Sequence, residues 1–431
     1  NRNSHWRRQL HQRLHRQRGP LAMALDFPNS PSLNQLYAGP NNVQWQWDGS
    51  KWLGTPNTLG PIIVAASPPT FQSGQLWWDS TGGNLYLGYD DGNTTQWVPA
   101  SNITGLANAA TTMDVDKALG NVGRNLIHNS MMNVQQRGSG VFSTAASFTA
   151  DRWYMTYSLD TFNVQPGQYS DANRAAIGDE EAINFLGVNV TGNAGAGAFS
   201  FVSQAVENVR RLAGKTIIIS FWASANTGTP KLGIGLRQYF GTGGSPSAAV
   251  DMTGQSVTLT AGTPTRYSVT FVMPSISGKT LGTANDHYTR LSFWPSCGAT
   301  NATIAGNPGV QSYVLALWGV QLEIVQPGQT VPTKLEKRDP VLELQQCQRF
   351  FQTGAVSMYA YNTAGAYVTQ MLPLPVTLRS NTPVVTPTLT PSNLTGVTMD
   401  AQGPGAVRVV ATATATGACN AIGSFTASAD L

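Results

Sequence analysis

The feature that most constrains the fold is a long succession of short strand candidates between residues 123 and 338. Each candidate is an apolar or alternating run, and turn-forming residues separate it from the next. The runs are RWYMTYSL, INFLGVNV, GAFSFVSQAV, KTIIISFWAS, KLGIGLRQYF, QSVTLT, TRYSVTFVM, TRLSFWPS and YVLALWGVQLEI. Short strands at this spacing predict an antiparallel β-sandwich. We therefore expect an all-β protein whose largest domain, 123–338, is a sandwich.

The composition agrees with a turn-rich all-β chain. Charged residues make up 11% of the sequence, against about 25% in typical globular proteins. Gly, Pro, Ser, Thr and Asn take their place, which disfavours helices and favours short strands joined by tight turns. The hydrophobic fraction of 41% argues against disorder.

Positive charge is concentrated at the start of the chain. Residues 1–22 contain six arginines and no acid, although the net charge of the whole chain is only +4. The body is nearly neutral, so no nucleic-acid partner is expected for it. The basic arm has three interpretations: it binds nucleic acid or a membrane surface, it clasps a neighbouring subunit, or it is not native and the natural protein starts at Met23. The arm lacks the apolar core of a secretion signal, and no apolar run is long enough for a membrane helix, so no membrane insertion is expected.

Residues 23–100 predict two small β-meanders rich in tryptophan. Turns are expected at Asp48-Gly49, Gly82-Gly83 and Asp91-Gly92, with alternating aromatic residues on either side. The tryptophans concerned are Trp45, Trp47, Trp52, Trp77, Trp78 and Trp97. Modules this small have little else to bury, so the rings are expected to form the cores; a stacking platform for sugars is the alternative. Residues 101–122 predict a linker with a short helix near 113–119.

Two further runs bracket the predicted sandwich. The first runs from Gly123 to Met155, and we expect it to begin with a strand, turn at Gly138 and lead through TADRW into another strand. The second contains a strand ending at Leu322-Glu323 and then a Pro/Gly loop. The distinctive residues are Asn125, Leu126, Asn129, Met132, Gln136, Arg137 and Gly138 in the first run, and Gly319 to Glu323, Pro332, Thr333, Leu335, Glu336, Arg338 and Cys347 to Phe351 in the second.

These two runs, in this order, resemble the start and end of a jelly-roll domain found in tail-fibre and appendage proteins of tailed bacteriophages. The resemblance implies a virion structural protein, assembled in the bacterial cytoplasm as a homo-oligomer, with a homotrimer expected. It implies that the tryptophan-rich modules dock to a tail, collar, portal or capsid protein, and that the outer domains contact a receptor or glycan of the host cell.

The strand order of 123–338 also resembles the galactose-binding-like jelly roll of many carbohydrate-binding modules. That resemblance implies that TIIISFWA is a central strand and that YSVTFVMP belongs to the facing sheet. It further implies that VLALWGVQLE, the last strand, lies beside the first.

A helix is predicted for 339–352, within a segment 339–354 that follows the sandwich. Asp339 is expected to cap it and Pro340 to take its first turn, with Leu344, Cys347 and Phe351 on one face. Residues 355–431 alternate Thr, Val, Ala and Leu with few large apolar side chains. We expect this segment to have little core of its own and to form an oligomeric C-terminal β-domain.

Candidate ligand-binding residues lie in the predicted sandwich, where aromatic rings, a cation and an imidazole suit sugar recognition. They are Arg237, Tyr239, His287, Tyr288 and Trp294. Only two histidines lie outside the arm, and the three cysteines have no C-x-x-C spacing, so no metal site, disulfide or cofactor is expected. The acids that could form a catalytic pair are Asp90/Asp91, Asp179/Glu180/Glu181 and Asp151. The first pair abuts a Gly turn and the second group lies in a polar loop, which favours solvated positions over catalytic ones for both.

Two other functions stay open on the sequence. A tailspike depolymerase would cleave capsule or lipopolysaccharide, although such enzymes usually place their acids on long β-helices and no short-period repeat occurs here. A carbohydrate-binding module of a cellular enzyme is the second alternative. New reducing ends on host polysaccharide would distinguish the depolymerase from a binding protein.

Overall fold

The computed structural model describes residues 27–38, 44–54, 62–90, 94–100 and 123–431. The chain divides into two compact units, residues 1–110 and 111–431, each of which is described by itself. The predicted basic arm, the predicted linker with its helix, and the Asp91-Gly92 turn lie outside the described residues. No helix in the described part is long and apolar enough to cross a membrane.

The first unit contains two small sheets. The strands of the first are β1 (Leu36–Ala38), β2 (Gln44–Trp47) and β3 (Trp52–Gly54), and those of the second are β4 (Ile63–Ala65), β5 (Leu76–Asp79), β6 (Asn84–Asp90) and β7 (Thr95–Pro99). The Asp48-Gly49 turn between β2 and β3 is confirmed: the Asp48 carboxylate accepts backbone hydrogen bonds from Ser50 and Lys51, each at 2.8 Å. The second sheet has the order β4-β5-β6-β7, and its first strand, parallel to β5, was not predicted.

The second unit begins with the predicted sandwich. Its strands are β8 (Ser147–Phe148), β9 (Tyr154–Ser158), β10 (Thr161–Gln168), β11 (Asn184–Thr191), β12 (Phe199–Glu207), β13 (Thr216–Ala225), β14 (Lys231–Tyr239), β15 (Val250–Asp251), β16 (Gln255–Thr258), β17 (Thr265–Val272), β18 (Tyr288–Cys297) and β19 (Ser312–Ile324). One sheet has five strands in the order β10-β11-β19-β13-β17. The other has seven strands in the order β15-β14-β18-β12-β9-β8, with β16 also pairing with β14.

Alternation along these strands builds the core between the sheets. Ile217, Ile219 and Phe221 of the five-stranded sheet are fully buried, as are Ile234 and Phe293 of the seven-stranded sheet. Residues in between point to the outer faces, because successive side chains of a strand point to opposite sides. The sandwich prediction is confirmed, and its seven-stranded sheet presents an outer face that is described below.

Two expectations about the sandwich are wrong, and two of its elements were not predicted. YSVTFVMP forms β17, which pairs with β13 in the same sheet rather than facing it. The stretch after Gly123 is irregular, because turns at Asn129 (φ 50°) and Met132 (φ 59°) interrupt it. The start of this segment nevertheless lies beside the last strand, β19, because the Leu126 N–H donates to the Leu322 carbonyl. Two short helices, α1 (Asp171–Ile177) and α2 (Ala302–Ala305), were not predicted.

Gly319 explains how β19 stays paired along its length. The pairing of β13 with β19 shifts register between Ser220 and Trp222, and Gly319 has a φ of 60° at this bulge. A Cβ there would lie 2.8 Å from the Trp222 ring. Glycine thus allows both the left-handed backbone and the close approach of the ring.

The helix α3 (Pro340–Gln348) is shorter than predicted. The Asp339 carboxylate caps it by accepting from the Val341 N–H at 2.9 Å, as expected. The predicted extension to residue 352, with one face made of Leu344, Cys347 and Phe351, is wrong. The chain leaves the helix after Gln348 and Phe351 opens the next strand, while Leu344 is 36% exposed.

The C-terminal domain is a second, smaller sandwich. Its strands are β20 (Phe351–Asn362), β21 (Tyr367–Pro373), β22 (Val384–Ser392), β23 (Leu394–Ala401), β24 (Ala406–Ala413) and β25 (Gly417–Ser428). They form two three-stranded sheets, β20-β25-β22 and β21-β24-β23. The expectation that this segment has little core of its own is wrong. Val356, Met358, Val407, Val409 and Phe425 form part of a buried cluster within the single chain.

The bracketing motifs meet where the two sandwiches join. Asp430, near the end of the chain, pairs with Arg137 and lies 3.8 Å from Arg152. The Arg137 guanidinium lies over the Phe351 ring at 3.6 Å, and the Arg152 guanidinium over the Phe350 ring at 3.4 Å. These side chains are almost completely buried, so the motif residues hold the C-terminal domain against the large sandwich.

Candidate functional site

Three of the five predicted ligand residues lie together on the outer face of the seven-stranded sheet. Leu236 of β14 and Leu291 of β18 point inward, so their neighbours Arg237 and Tyr239 on β14 and Tyr288 on β18 lie on the opposite face. Tyr239 and Tyr288 are directly paired across the strands, with ring centroids 4.9 Å apart. Both rings are only partly buried. The face therefore presents a pair of tyrosine rings to solvent.

Arg237 is held in place beside this pair by Asp251 of β15. Its Nε and Nη2 each donate to a carboxylate oxygen of Asp251 at 2.7 Å. Because both side chains are about a third exposed, the pair adds little to stability. Its effect is geometric: the guanidinium is fixed in one plane with part of its donor edge accessible.

Arg290 is a functional candidate that the sequence interpretation missed. It lies opposite Arg237 in the β14–β18 ladder, and its guanidinium is 4.9 Å from the centre of the Phe201 ring. Within the described residues it makes no hydrogen bond or ion pair, and its Nε is buried. Burial lowers the pKa of Arg290, and the charge of Arg237 acts in the same direction. The alternation of Tyr288, Arg290 and Ser292 in YTRLSFW was the signal available in the sequence.

The other two predicted ligand residues, Trp294 and His287, are buried and do not belong to this surface. Trp294 is only 4% exposed, because Phe201 packs 4.5 Å from its ring and α2 lies against it, so it has no face free to stack on a ligand. His287 is 5% exposed, and its Nδ1 accepts a hydrogen bond from the Val209 N–H at 3.3 Å. It lines a separate pocket at the end of the sheet.

Three of the acids considered as catalytic candidates, Asp179, Glu180 and Glu181, pair with cations. Asp179 and Glu181 both contact Lys337, and Glu180 contacts Arg174. Asp151 is fully buried, and burial raises its pKa although Arg137 and Gln136 act in the opposite direction. Across the described residues, no three His, Cys, Asp or Glu side chains are grouped so as to hold a metal ion.

The tryptophans of the first unit mostly pack against other rings. Phe27 stacks on Trp52 at 5.2 Å and meets Trp45 edge-on at 5.3 Å. Trp47 lies 5.6 Å from Trp52.

In the second sheet of this unit, Trp77 is 4% exposed and stacks on Tyr86 at 4.8 Å, with Trp97 edge-on at 5.6 Å. Trp78 differs, since it points to the other side of β5 and is 40% exposed. Five of the six rings therefore contribute to module cores, and Trp78 is the one available at a surface.

Comparison with known proteins gives weak structural likenesses. No protein-family model matches the chain. No curated protein matches it either. Among solved structures, the enzymatically active domain of tailspike protein 4 from bacteriophage CBA120 is 13% identical, with a TM-score of 0.28 over 47% of this chain and 21% of that chain. The match thus spans about a fifth of the tailspike chain.

Two carbohydrate-binding modules give similar values. The CBM22-2 xylan-binding domain from Paenibacillus barcinonensis is 14% identical, with a TM-score of 0.26 over 42% of this chain and 98% of that chain. The family 11 module from Clostridium thermocellum, solved with a mixed-linked tetrasaccharide, is 9% identical, with a TM-score of 0.26 over 44% of this chain and 96% of that chain. Values this low assign neither a family nor a ligand to this chain.

Proposed function

We propose that this chain is a structural appendage of a bacteriophage virion, and that its large sandwich binds a host surface glycan. The observation that carries the binding proposal is the outer face of the seven-stranded sheet. There a partly exposed tyrosine pair, Tyr239 and Tyr288, lies beside the fixed guanidinium of Arg237 and that of Arg290, which has no hydrogen-bond or ion-pair partner among the described residues.

This arrangement suits a sugar for two physical reasons. The C–H face of a pyranose ring is apolar and packs on an aromatic ring, while its hydroxyl edge needs hydrogen-bond partners. Here the rings and the polar groups are on one face: Arg237 donates, and the Asp251 carboxylate accepts. Arg237 and Tyr239 are two residues apart in β14, so their side chains are neighbours on the same side of the strand. A single sugar unit can therefore contact both.

The virion part of the proposal rests on the bracketing motifs. Their resemblance to phage fibre and appendage proteins supports it. In this chain Arg137, Arg152, Phe350 and Phe351 form the joint between the two sandwiches. In this proposal the tryptophan-rich modules dock to a tail, collar, portal or capsid protein, and the protein resides in the virion. Trp78 and Val64, which are paired across β4 and β5, are among the exposed apolar side chains of these modules and are available for that contact.

We also propose that three copies associate through the C-terminal domain. The outward residues of the β20-β25-β22 sheet include no charged side chain, and Tyr359 and Tyr361 are 66% and 77% exposed on it. β20 is in addition a 12-residue edge strand, paired only with β25. A long uncharged edge beside exposed aromatic rings is typical of a surface that another chain covers.

Binding to an array of bacterial capsule and lipopolysaccharide glycans tests the glycan proposal. The double variant Tyr239→Ala/Tyr288→Ala should weaken the binding of retained glycans about tenfold or more, from the loss of two ring contacts. Tyr367→Ala removes a ring that is 79% exposed in the C-terminal domain and should bind like the wild type. If the wild type retains no glycan, or if both variants bind equally well, the proposal is wrong.

A further inference from the structure

A polar pocket of about 460 Å³ lies at one end of the seven-stranded sheet. Its walls are Glu207, Asn208, Arg210, Arg211, Asn285 and His287, and we call it the His287 pocket. Its volume falls in the range of about 300–1,000 Å³ that small-ligand sites usually have. None of its residues except His287 was singled out in the sequence.

The hydrogen bonding of His287 leaves two donors facing each other. The Val209 N–H is a fixed donor to Nδ1, so in the neutral ring the proton is on Nε2. Nε2 lies 3.3 Å from Nη1 of Arg210, and a guanidinium can only donate. Two N–H groups therefore converge at the pocket wall with no acceptor between them. An oxygen atom that accepts from both would satisfy this arrangement.

The charge of the pocket favours a negatively charged oxygen. Arg210 and Arg211 are exposed, and neither has a carboxylate partner within ion-pair distance among the described residues. Glu207 is the only acid in the pocket wall, and it is already paired with Arg349 and Arg379. The pocket is therefore electropositive, because Arg349 and Arg379 already neutralise the carboxylate of Glu207.

The position of the pocket relates it to the tyrosine pair. Glu207 is directly opposite Tyr288 in the β12–β18 ladder, and Tyr288 is opposite Tyr239. Neighbouring strands are about 4.8 Å apart, so the pocket begins within about one sugar length of the two rings. A glycan that extends from the tyrosines across Glu207 would reach the pocket at this end of the sheet.

We propose that the His287 pocket binds an anionic group. One oxygen atom of this anion accepts hydrogen bonds from both His287 Nε2 and Arg210 Nη1. This proposal rests on the proposed glycan function and narrows it: the glycan is acidic and carries a carboxylate or a phosphate. The positive charge of Arg211 compensates the charge on a second oxygen atom of the carboxylate or phosphate. The tyrosine pair contacts the neighbouring sugar ring.

Calorimetry on the full chain tests the proposal with three probes: a uronic-acid trisaccharide, its carboxyl-reduced neutral counterpart, and inorganic phosphate. Arg210→Gln removes one donor from an exposed position, so folding should be unaffected, which a thermal unfolding curve checks. The variant should bind the acidic trisaccharide about 10- to 100-fold more weakly, the usual loss for a hydrogen bond between charged groups. Lys231→Gln, the same charge change at the other end of β14, should leave binding unchanged.

The outcomes separate the two proposals. Equal affinity of the wild type for the acidic and the neutral trisaccharide overturns the anionic pocket and leaves glycan binding intact. Equal effects of Arg210→Gln and Lys231→Gln overturn it as well. Binding of inorganic phosphate that Arg210→Gln abolishes supports the pocket even if neither trisaccharide binds, and in that case a free phosphate rather than a sugar acid is its ligand.

Discussion

Asp430 offers the sharpest test of how the two sandwiches are joined. Its side chain is 6% exposed and contacts Arg137 and Arg152, which are themselves 11% and 2% exposed. Two unit charges 3.8 Å apart, the Asp430–Arg152 separation, attract by about 4 kcal/mol at an effective dielectric constant of about 20. Asp430→Asn removes this attraction and leaves Arg152 buried without a carboxylate in ion-pair range among the described residues, while Arg137 keeps Asp151 at 3.6 Å. Because breaking a buried ion pair by removing one partner costs about 3–5 kcal/mol, we expect a loss of that size in unfolding free energy.

Urea unfolding followed by tryptophan fluorescence measures this loss. The matched control is Asp400→Asn, which breaks the exposed Asp400–Arg408 pair within the C-terminal domain and should leave the unfolding curve nearly unchanged. In the double variant Asp430→Asn/Arg152→Met the loss should be smaller than the sum of the single losses, because each change removes the same contact. Equal destabilisation by Asp430→Asn and Asp400→Asn would show that the joint contributes no more than a surface pair, and the reasoning would fail.

Two further predictions follow from the pH dependence and the assembly of the protein. Burial alone would raise the pKa of Glu207, but Arg349 and Arg379 outweigh it and hold the pKa below its ordinary value of 4.5. Its contribution to stability is therefore present above pH 4.5 and lost as the pH falls through the lowered value. Glu207→Gln should be less stable than the wild type at pH 7, with a difference that shrinks below pH 4.5; a constant difference down to pH 3 would contradict this. Light scattering should give the wild type a mass of three copies and Tyr361→Arg that of one, and a monomeric wild type would refute the association.

The sandwich was predictable from the sequence because its strands are continuous apolar or alternating runs. The position of YSVTFVMP was not, because periodicity shows which face of a strand is buried but not which strand lies next to it. The segment after Gly123 was predicted as a strand since it alternates. Its backbone instead hydrogen-bonds to side chains: the Ile127 N–H donates to Asn125, and the Val134 N–H to Asn129. Local side-chain acceptors of this kind compete with strand pairing.

The candidate site was predictable only in part, for a related reason. Tyr239 and Tyr288 are about 50 residues apart in the sequence, and alternation placed both on strands without showing that they are paired. Trp294 alternates in the same way, yet α2, a four-residue helix that no sequence pattern predicted, covers it. Arg290 was overlooked because an arginine in a strand is usually a solvated side chain, and its lack of a partner is visible only in three dimensions. The same holds for the donors that converge at His287.

The joint between the sandwiches also determines where this chain can be cut and recombined. The C-terminal domain supplies Asp430 from its last residues and Phe351 from its first strand, whereas Arg137 and Arg152 belong to the large sandwich. A foreign C-terminal domain fused after residue 350 would leave Arg152 without a carboxylate in ion-pair range, unless that domain returned one to the same place, whereas Arg137 would keep Asp151. We therefore expect the C-terminal domain to be exchangeable only for domains whose first and last strands are paired and end together at the joint, as β20 and β25 do.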